Sequence, residues 1–390
     1  MDLSLYKECF AYKNGVYIDT QGKVTPCCYF RNKLPLNVLR DWNTYKTELE
    51  KLDIESGCQN CIKLDNAGVV TSHRMFFEEN IRNISISVDN LCNIKCTSCN
   101  PGYSTQWISD AIKLNQINAT QQKYFLKLSQ EGYIKLDICK NIIETCNEPI
   151  KIIFYGGEPT INPKVIEFLD WLISLPNADQ IIISFVTNGT TILNNMEYYI
   201  TKFKEVIIGI SIDGIAEQSN YLRYGSEWNV LKDNLLYYNS LDKKYKNYNY
   251  YIHLTLSVMN IYYFYEYCRW FNNNLTQCRL TMTKLFSPDY QSIDVLTPKE
   301  KLTIIARNLN LIDKLNSNGV INLKTIRNEY ESLAGASTYI QKHALLRMNP
   351  TQTLAKLKLL DGIRNTCFET TFPEIFDILS KKHDTQNINI

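Results

Sequence analysis

From residue 84 onward one alternation repeats, and it limits the folds open to the chain. Short β-branched runs are separated by stretches such as "NPKVIEFLDWLISL", whose apolar residues recur every three to four positions. The runs are "ISISVDN" (84–90), "IKIIFYGG" (150–157), "QIIISFVTNG" (180–189), "EVIIGISIDG" (205–214), "YYIHLTLSVMN" (250–260) and "CRLTMTKLF" (278–286). Strands alternating with helices call for a parallel sheet of βαβ units, either open and doubly wound or closed as a barrel. Two features favour a barrel with a ligand in its lumen. On several strands one parity is small and polar: Ser85, Ser87 and Asp89; Gly209, Ser211 and Asp213; His253, Thr255 and Ser257; Arg279, Thr281 and Thr283. A parallel sheet packed on both faces would instead be apolar throughout. In addition, "GGEP", "TNG" and "SIDG" fall at the C-terminal ends of strands, the rim where α/β barrels place their chemistry.

Before residue 80 the pattern differs. "VYI" and "KVT" flank the turn "DTQGK" as a hairpin, and "LRDWNTYKTELEKLD" reads as a helix leading into "GCQNC". After residue 297 the sequence is helical by period and carries no motif tied to chemistry. The 390 residues are thus expected to divide into a small cysteine-bearing α+β module (1–80), an α/β core (81–290) and a helical C-terminal region (291–390). Lys and Arg total 42 against 40 for Asp and Glu, which leaves no electrostatic footprint for nucleic acid or an anionic membrane. No apolar run is long enough to span a bilayer, and "MDLSLYKECF" lacks a signal-peptide pattern. With thirteen cysteines, this predicts a cytoplasmic protein whose spaced thiols bind metal or do redox chemistry.

The cysteines are grouped. Cys139, Cys146, Cys268, Cys278 and Cys367 are isolated and read as small buried hydrophobes. Cys92, Cys96 and Cys99, in "CNIKCTSC", follow the first core strand with no fourth cysteine at hand, and the nearest histidine, His73, precedes that strand. Structural zinc wants four nitrogen or sulfur ligands. A 4Fe–4S cluster on three thiolates leaves one iron open to a small molecule.

This C-x3-C-x2-C after strand one, together with "GGEP" after strand two, resembles the radical S-adenosylmethionine (SAM) superfamily over roughly residues 84 to 286. The resemblance implies a partial (β/α)6 TIM-like barrel in which Cys92, Cys96 and Cys99 hold a catalytic 4Fe–4S cluster whose open iron is chelated by SAM. It places Gly156, Gly157 and Glu158 at the methionine ammonium, Ser211 near the ribose or carboxylate, and Arg223 of "YLRYG" at the carboxylate. Asn188 and Phe286 are further cofactor contacts. One departure is clear: the family's aromatic residue before the third cysteine is Ser98 here, so adenine must be held from elsewhere, with Phe286 the candidate. The implied oxidoreductase chemistry is reductive cleavage of SAM to a 5′-deoxyadenosyl radical that abstracts a substrate hydrogen. The protein's part is positioning and exclusion of water and oxygen.

Cys9, Cys27 or Cys28, Cys58 and Cys61 form a second set, similar to part of the SPASM/Twitch module that carries an auxiliary Fe–S cluster in radical SAM enzymes acting on peptides. A zinc ribbon fits the same spacing. The auxiliary reading takes Cys9, Cys27, Cys58 and Cys61 as ligands, Cys27 because it directly follows Pro26. The expected function is modification of a peptide or protein, with electrons from a donor such as flavodoxin or ferredoxin. The alternatives are a radical SAM enzyme for a small metabolite, sugar or nucleotide, and a non-catalytic cysteine-rich metal-binding protein.

Overall fold

Each of the six β-branched runs forms a strand in the computed structural model, which describes residues 8–66, 79–276, 279–315 and 349–381 with Tyr6, Asn328 and Tyr330. They are β4 (Arg82–Ser87), β5 (Ile150–Tyr155), β6 (Ile182–Thr187), β7 (Glu205–Ser211), β8 (Tyr248–Leu256) and β9 (Arg279–Lys284). Three short strands precede them: β1 (Gly15–Ile18), β2 (Lys23–Thr25) and β3 (Leu34–Pro35). His73, Cys278 and much of the C-terminal region lie outside the described residues. The chain divides into two compact units, Met1–Asn93 with Asn100–Gly209 and Asp242–Asn249, and Ile94–Cys99 with Ile210–Leu241 and Tyr250–Ile390.

In the first unit β4, β5 and β6 pair in parallel, with Ile84 opposite Ile152 and Ile152 opposite Ile183. The crossover from β5 to β6 is the helix Pro163–Ile173. Proline fits its first position because no N–H is needed there, and the Asn162 side chain accepts from Lys164 N. Its Val165, Phe168, Leu169 and Leu172 are buried, and Phe168 meets Phe154 edge-on while Phe154 stacks on Phe185 at 5.2 Å between centroids.

The expected hairpin is present: β1 and β2 are antiparallel, and Asp19 Oδ1 accepts from Gln21 N and Lys23 N across a turn closed by Gly22 at φ +73°. What sequence did not predict is that β1 also runs parallel to β4, Val16 opposite Ile84 and Ile18 opposite Ile86. The hairpin is therefore an extension of the unit's sheet. Lys135, on the helix Gly132–Glu144, fastens it: its Nζ donates to Thr20 O (2.9 Å) and Ser87 O (3.0 Å). Burial pushes the Lys135 ammonium down to about 8, against the pull of Asp89 and Asp19.

In the second unit β8 and β9 are parallel neighbours, Ile252 opposite Leu280 and Leu254 opposite Met282. The parity expected from the sequence holds on β8, where Ile252, Leu254 and Leu256 are buried while Tyr251, His253 and Thr255 are half-buried. The helix Phe264–Asn274 lies between these strands in sequence and buries Phe264, Tyr267, Cys268 and Phe271. The helix Pro298–Ile312 starts with a reciprocal Thr297–Glu300 capping box, and Phe368 and Phe372 pack Tyr221 near the C-terminal helices. Parallel strands joined by helices make the α/β class expected from the alternation. Among the described residues no helix is long and apolar enough to cross a membrane.

Candidate functional site

Four of the expected cofactor residues meet Cys92 or its neighbours in the first unit. The chain leaves β5 through Gly156 and Gly157, with φ of +77° and +55°. A Cβ on Gly157 would stand 2.2 Å from Leu91 O and 2.9 Å from Leu91 N, so only glycine lets this turn lie on the residue before Cys92. Glu158 N then donates to Leu91 O at 2.7 Å. The cysteine loop and the "GGEP" loop are thus joined backbone to backbone.

Glu158 has an internal task that its motif does not reveal. It is 0% exposed. Its Oε1 accepts from Thr160 N (3.1 Å), Thr160 Oγ1 (2.7 Å) and Thr187 Oγ1 (2.7 Å), and its Oε2 from Asn188 N (2.6 Å). Burial raises its pKa, and these donors counter it. The carboxylate ties the end of β5 to the end of β6, while the adjoining glycine backbone makes the close approach to the cysteine loop.

Asn188 belongs to the same construction. Its Nδ2 donates to Asn93 Oδ1 (2.9 Å) and to Cys92 Sγ (3.8 Å), and its Oδ1 accepts from Thr190 N (2.9 Å) and Thr190 Oγ1 (2.7 Å). Asn93 Nδ2 in turn donates to Thr190 Oγ1 at 2.9 Å. Beneath lies Asp89, also 0% exposed, which accepts from Leu91 N (2.9 Å) and Asn162 Nδ2 (3.0 Å) and pairs with Lys164 Nζ (3.0 Å). The sequence assigned Asp89 to a polar lumen face. It is instead a strut between the start of the cysteine loop and the first turn of the helix Pro163–Ile173, which carries its partner Lys164.

The second unit builds around Cys96 and Cys99. Lys95 N donates to Tyr224 O (2.9 Å) and Thr97 N to Leu222 O (2.7 Å), so the segment carrying Cys96 is laced to the segment carrying Arg223. Gln291 Nε2 adds a bond to Thr97 O (2.9 Å), and Cys99 N closes a turn on Cys96 O (3.0 Å). Arg223 is buried and pairs with Asp213 Oδ2 at 2.7 Å, and Asp213 Oδ1 also accepts from Thr255 N (2.9 Å). Burial pushes the Cys96 thiol up; Arg223 and Arg364 pull it down and Asp213 opposes them. Asp213, Gln291 and Arg364 were not among the predicted site residues. Asp213 was visible in "SIDG" as a polar strand-end residue, while nothing local marks the other two.

Ser211 is the half-buried last residue of β7. Phe286, the candidate adenine support, is 50% exposed with Lys284 Nζ 5.4 Å from its ring centroid. His253, on the half-buried face of β8, contacts Thr281 Oγ1 (2.9 Å) through Nδ1 and Thr283 Oγ1 (3.0 Å) through Nε2. Thr281 Oγ1 donates to Ile252 O (3.3 Å), which makes Nδ1 the donor toward Thr281 and leaves Nε2 to accept from Thr283. Burial lowers the pKa of the ring and favours this neutral form.

In the N-terminal module the segments bearing the second cysteine set are stitched together. Arg31 N donates to Gly57 O (3.0 Å), Asn32 Nδ2 to Asp53 O (2.9 Å), and Asn60 Nδ2 to Tyr29 O (3.4 Å). This ties the chain after Cys27 and Cys28 to the segment bearing Cys58, at the end of the helix Ile54–Gly57, and Cys61, on the helix Gln59–Asn66. Cys58 and Cys61 pack on a small core of Tyr6, Ile54 and Ile62, and Cys9 N bonds to Tyr6 O (3.3 Å). Among the described residues no three His, Cys, Asp or Glu side chains are grouped as for a single metal ion.

The donors expected at the triplet are those an iron–sulfur group takes. The expected ligands are all thiols, and an amide N–H reaches Cys92. The chain is 29% identical over 154 residues to the radical SAM cyclopropyl synthase TigE of Paramaledivibacter caminithermalis. The chain is thus similar to a radical SAM enzyme over that stretch. The match covers 38% of the chain but only 30% of TigE, so the chain spans under a third of that relative. No family model matches. Among solved structures, anSMEcpe with bound AdoMet aligns with a TM-score of 0.39 and 18% identity, over 60% of each chain. SuiB of Streptococcus suis bound to the precursor peptide SuiA aligns with a TM-score of 0.36 and 14% identity, over 74% of this chain and 57% of that one.

Proposed function

We propose that this protein is a radical SAM enzyme that reductively cleaves SAM and uses the cleavage to abstract hydrogen from a peptide or protein substrate. The observation that carries the reading is the pair of backbone bonds lacing residues 95–97 to 222–224, which set Arg223 beside the cysteine segment. An anion-binding arginine next to cluster-type thiols is what recognition of an amino-acid carboxylate requires. Cys92, Cys96 and Cys99 would hold the 4Fe–4S cluster, and Gly156, Gly157, Ser211 and Arg223 would receive SAM. When bound, cluster and SAM together supply one-electron cleavage chemistry. Glu158 and Asp89 hold the strand ends in place for it, and Asp213 orients the guanidinium of Arg223.

Residues 1–80 are assigned as the auxiliary 4Fe–4S module, 81–290 as the catalytic core and 291–390 as a helical region. The stitching of the Cys27–Cys28 segment to the Cys58–Cys61 segment supports the first assignment. The peptide substrate rests on the likeness of that module to SPASM/Twitch proteins, and electrons would come from a flavodoxin- or ferredoxin-type donor. The test is anaerobic reconstitution followed by reduction. The protein should release 5′-deoxyadenosine from SAM even without substrate, and Cys96→Ala should release none. Undiminished release from Cys96→Ala would refute the assignment of the triplet.

A further inference from the structure

The sequence put Asn188 among the SAM contacts, but its side chain is committed elsewhere. We infer that Asn188 is a positioning residue for the cluster: its amide donates a hydrogen bond to the Cys92 thiolate and thereby raises the cluster's reduction potential. The inference rests on the radical SAM reading of the triplet.

The amide's orientation follows from its partners. Oxygen and nitrogen of an asparagine side chain are interchangeable by a flip unless a neighbour can play only one part. Thr190 N is such a neighbour, because a backbone N–H only donates, and it lies 2.9 Å from Asn188 Oδ1. The other end of the amide must then carry the two N–H groups, one directed to Asn93 Oδ1 (2.9 Å) and the other to Cys92 Sγ (3.8 Å). Thr190 Oγ1 completes a ring: it donates to Asn188 Oδ1 (2.7 Å) and accepts from Asn93 Nδ2 (2.9 Å). Asn93 directly follows Cys92 in sequence, so the ring holds the amide against the residue it serves. Asn188 is 5% exposed, and its backbone N–H is bonded to Glu158 Oε2 (2.6 Å), which fixes the main chain as well.

Hydrogen bonds to ligand sulfur are one of the levers that set an iron–sulfur potential. A donor draws charge from the thiolate, and the bond strengthens when the cluster accepts an electron, so the reduced form gains more than the oxidised form. Removing the donor must lower the potential. A carboxylate in its place lowers it further, since Asn188→Asp keeps an acceptor for Thr190 N but sets a negative oxygen toward sulfur.

The test is a potentiometric dithionite titration of the reconstituted full chain, followed by electron paramagnetic resonance. The signal that changes on SAM addition identifies the core cluster. Asn188→Asp is expected to shift reduction of that signal by at least tenfold in equilibrium constant, which is 59 mV for a one-electron couple, to lower potential. Asn188→Ala should shift it in the same direction and by less. Thr190→Val, which removes the hydroxyl bonds of the ring but keeps Thr190 N on Asn188 Oδ1 and the amide N–H groups in place, should give a smaller downward shift and serves as the readout if the Asn188 variants lose iron. An unchanged potential in Asn188→Asp, or in Thr190→Val where iron is lost, overturns the inference. Failure of the underlying reading looks different: Cys92→Ala would then retain the wild-type iron content and the SAM-sensitive signal.

Discussion

Replacing Gly157 by alanine tests the joint between the "GGEP" loop and the cysteine loop. Gly157 has φ +55°, where an L-residue pays about 1–2 kcal/mol. The added Cβ would also lie 2.2 Å from Leu91 O and 2.8 Å from Leu91 C, both backbone atoms that cannot rotate aside. The loops must separate, and the bond from Glu158 N to Leu91 O (2.7 Å) is the first lost, at about 0.5–1.5 kcal/mol. The expected destabilisation is about 2–3 kcal/mol. Gly362 is the control, a helical glycine whose Cβ would meet nothing within 4 Å; Gly362→Ala should stabilise by about 0.5–1 kcal/mol. Urea denaturation followed by circular dichroism measures both, read as a change in midpoint at constant slope. Because Leu91 precedes Cys92, Gly157→Ala should also take up less iron on reconstitution. A Gly157→Ala protein within about 0.5 kcal/mol of wild type would refute the reasoning from backbone contact.

The double variant Cys58→Ala, Cys61→Ala should lose about four iron atoms per chain, retain measurable SAM cleavage and lose product formation; a loss of zinc in place of iron would identify a ribbon. Lys135 titrates at about 8 when folded, below its ordinary 10.5, so between those values the unfolded chain binds more protons and stability rises with pH. Wild type should therefore gain on Lys135→Met in urea titrations as pH is raised from 8 to about 10, and parallel curves for the two proteins would count against a buried ammonium at this position.

Several features of the fold and site are legible in the sequence itself, because they depend on near neighbours in the chain. Period-two and period-3.6 patterns act over a few residues, so the strand runs and the helix Pro163–Ile173 can be read directly. The hairpin is legible from "DTQGK", since a turn is closed by its own residues. The grouping of Cys92, Cys96 and Cys99 is equally legible, since it is a matter of spacing along the chain. Tertiary structure decides what these pieces are fastened to. The four-residue β1 has no local signal for pairing with β4, more than sixty residues on. The carboxylate of Glu158 reads as a ligand for a cofactor until Thr187 and Asn188, from another strand, converge on it. Asp213 and Arg223 are both visible in sequence, but their 2.7 Å contact is not. Nor is the aim of Asn188 at Cys92, which depends on Thr190 orienting the amide across a gap of 96 residues in sequence. Side-chain partners of this kind are chosen by direction and distance in three dimensions. A sequence fixes which groups are available to bond and at what local spacing, and packing alone determines which of them meet.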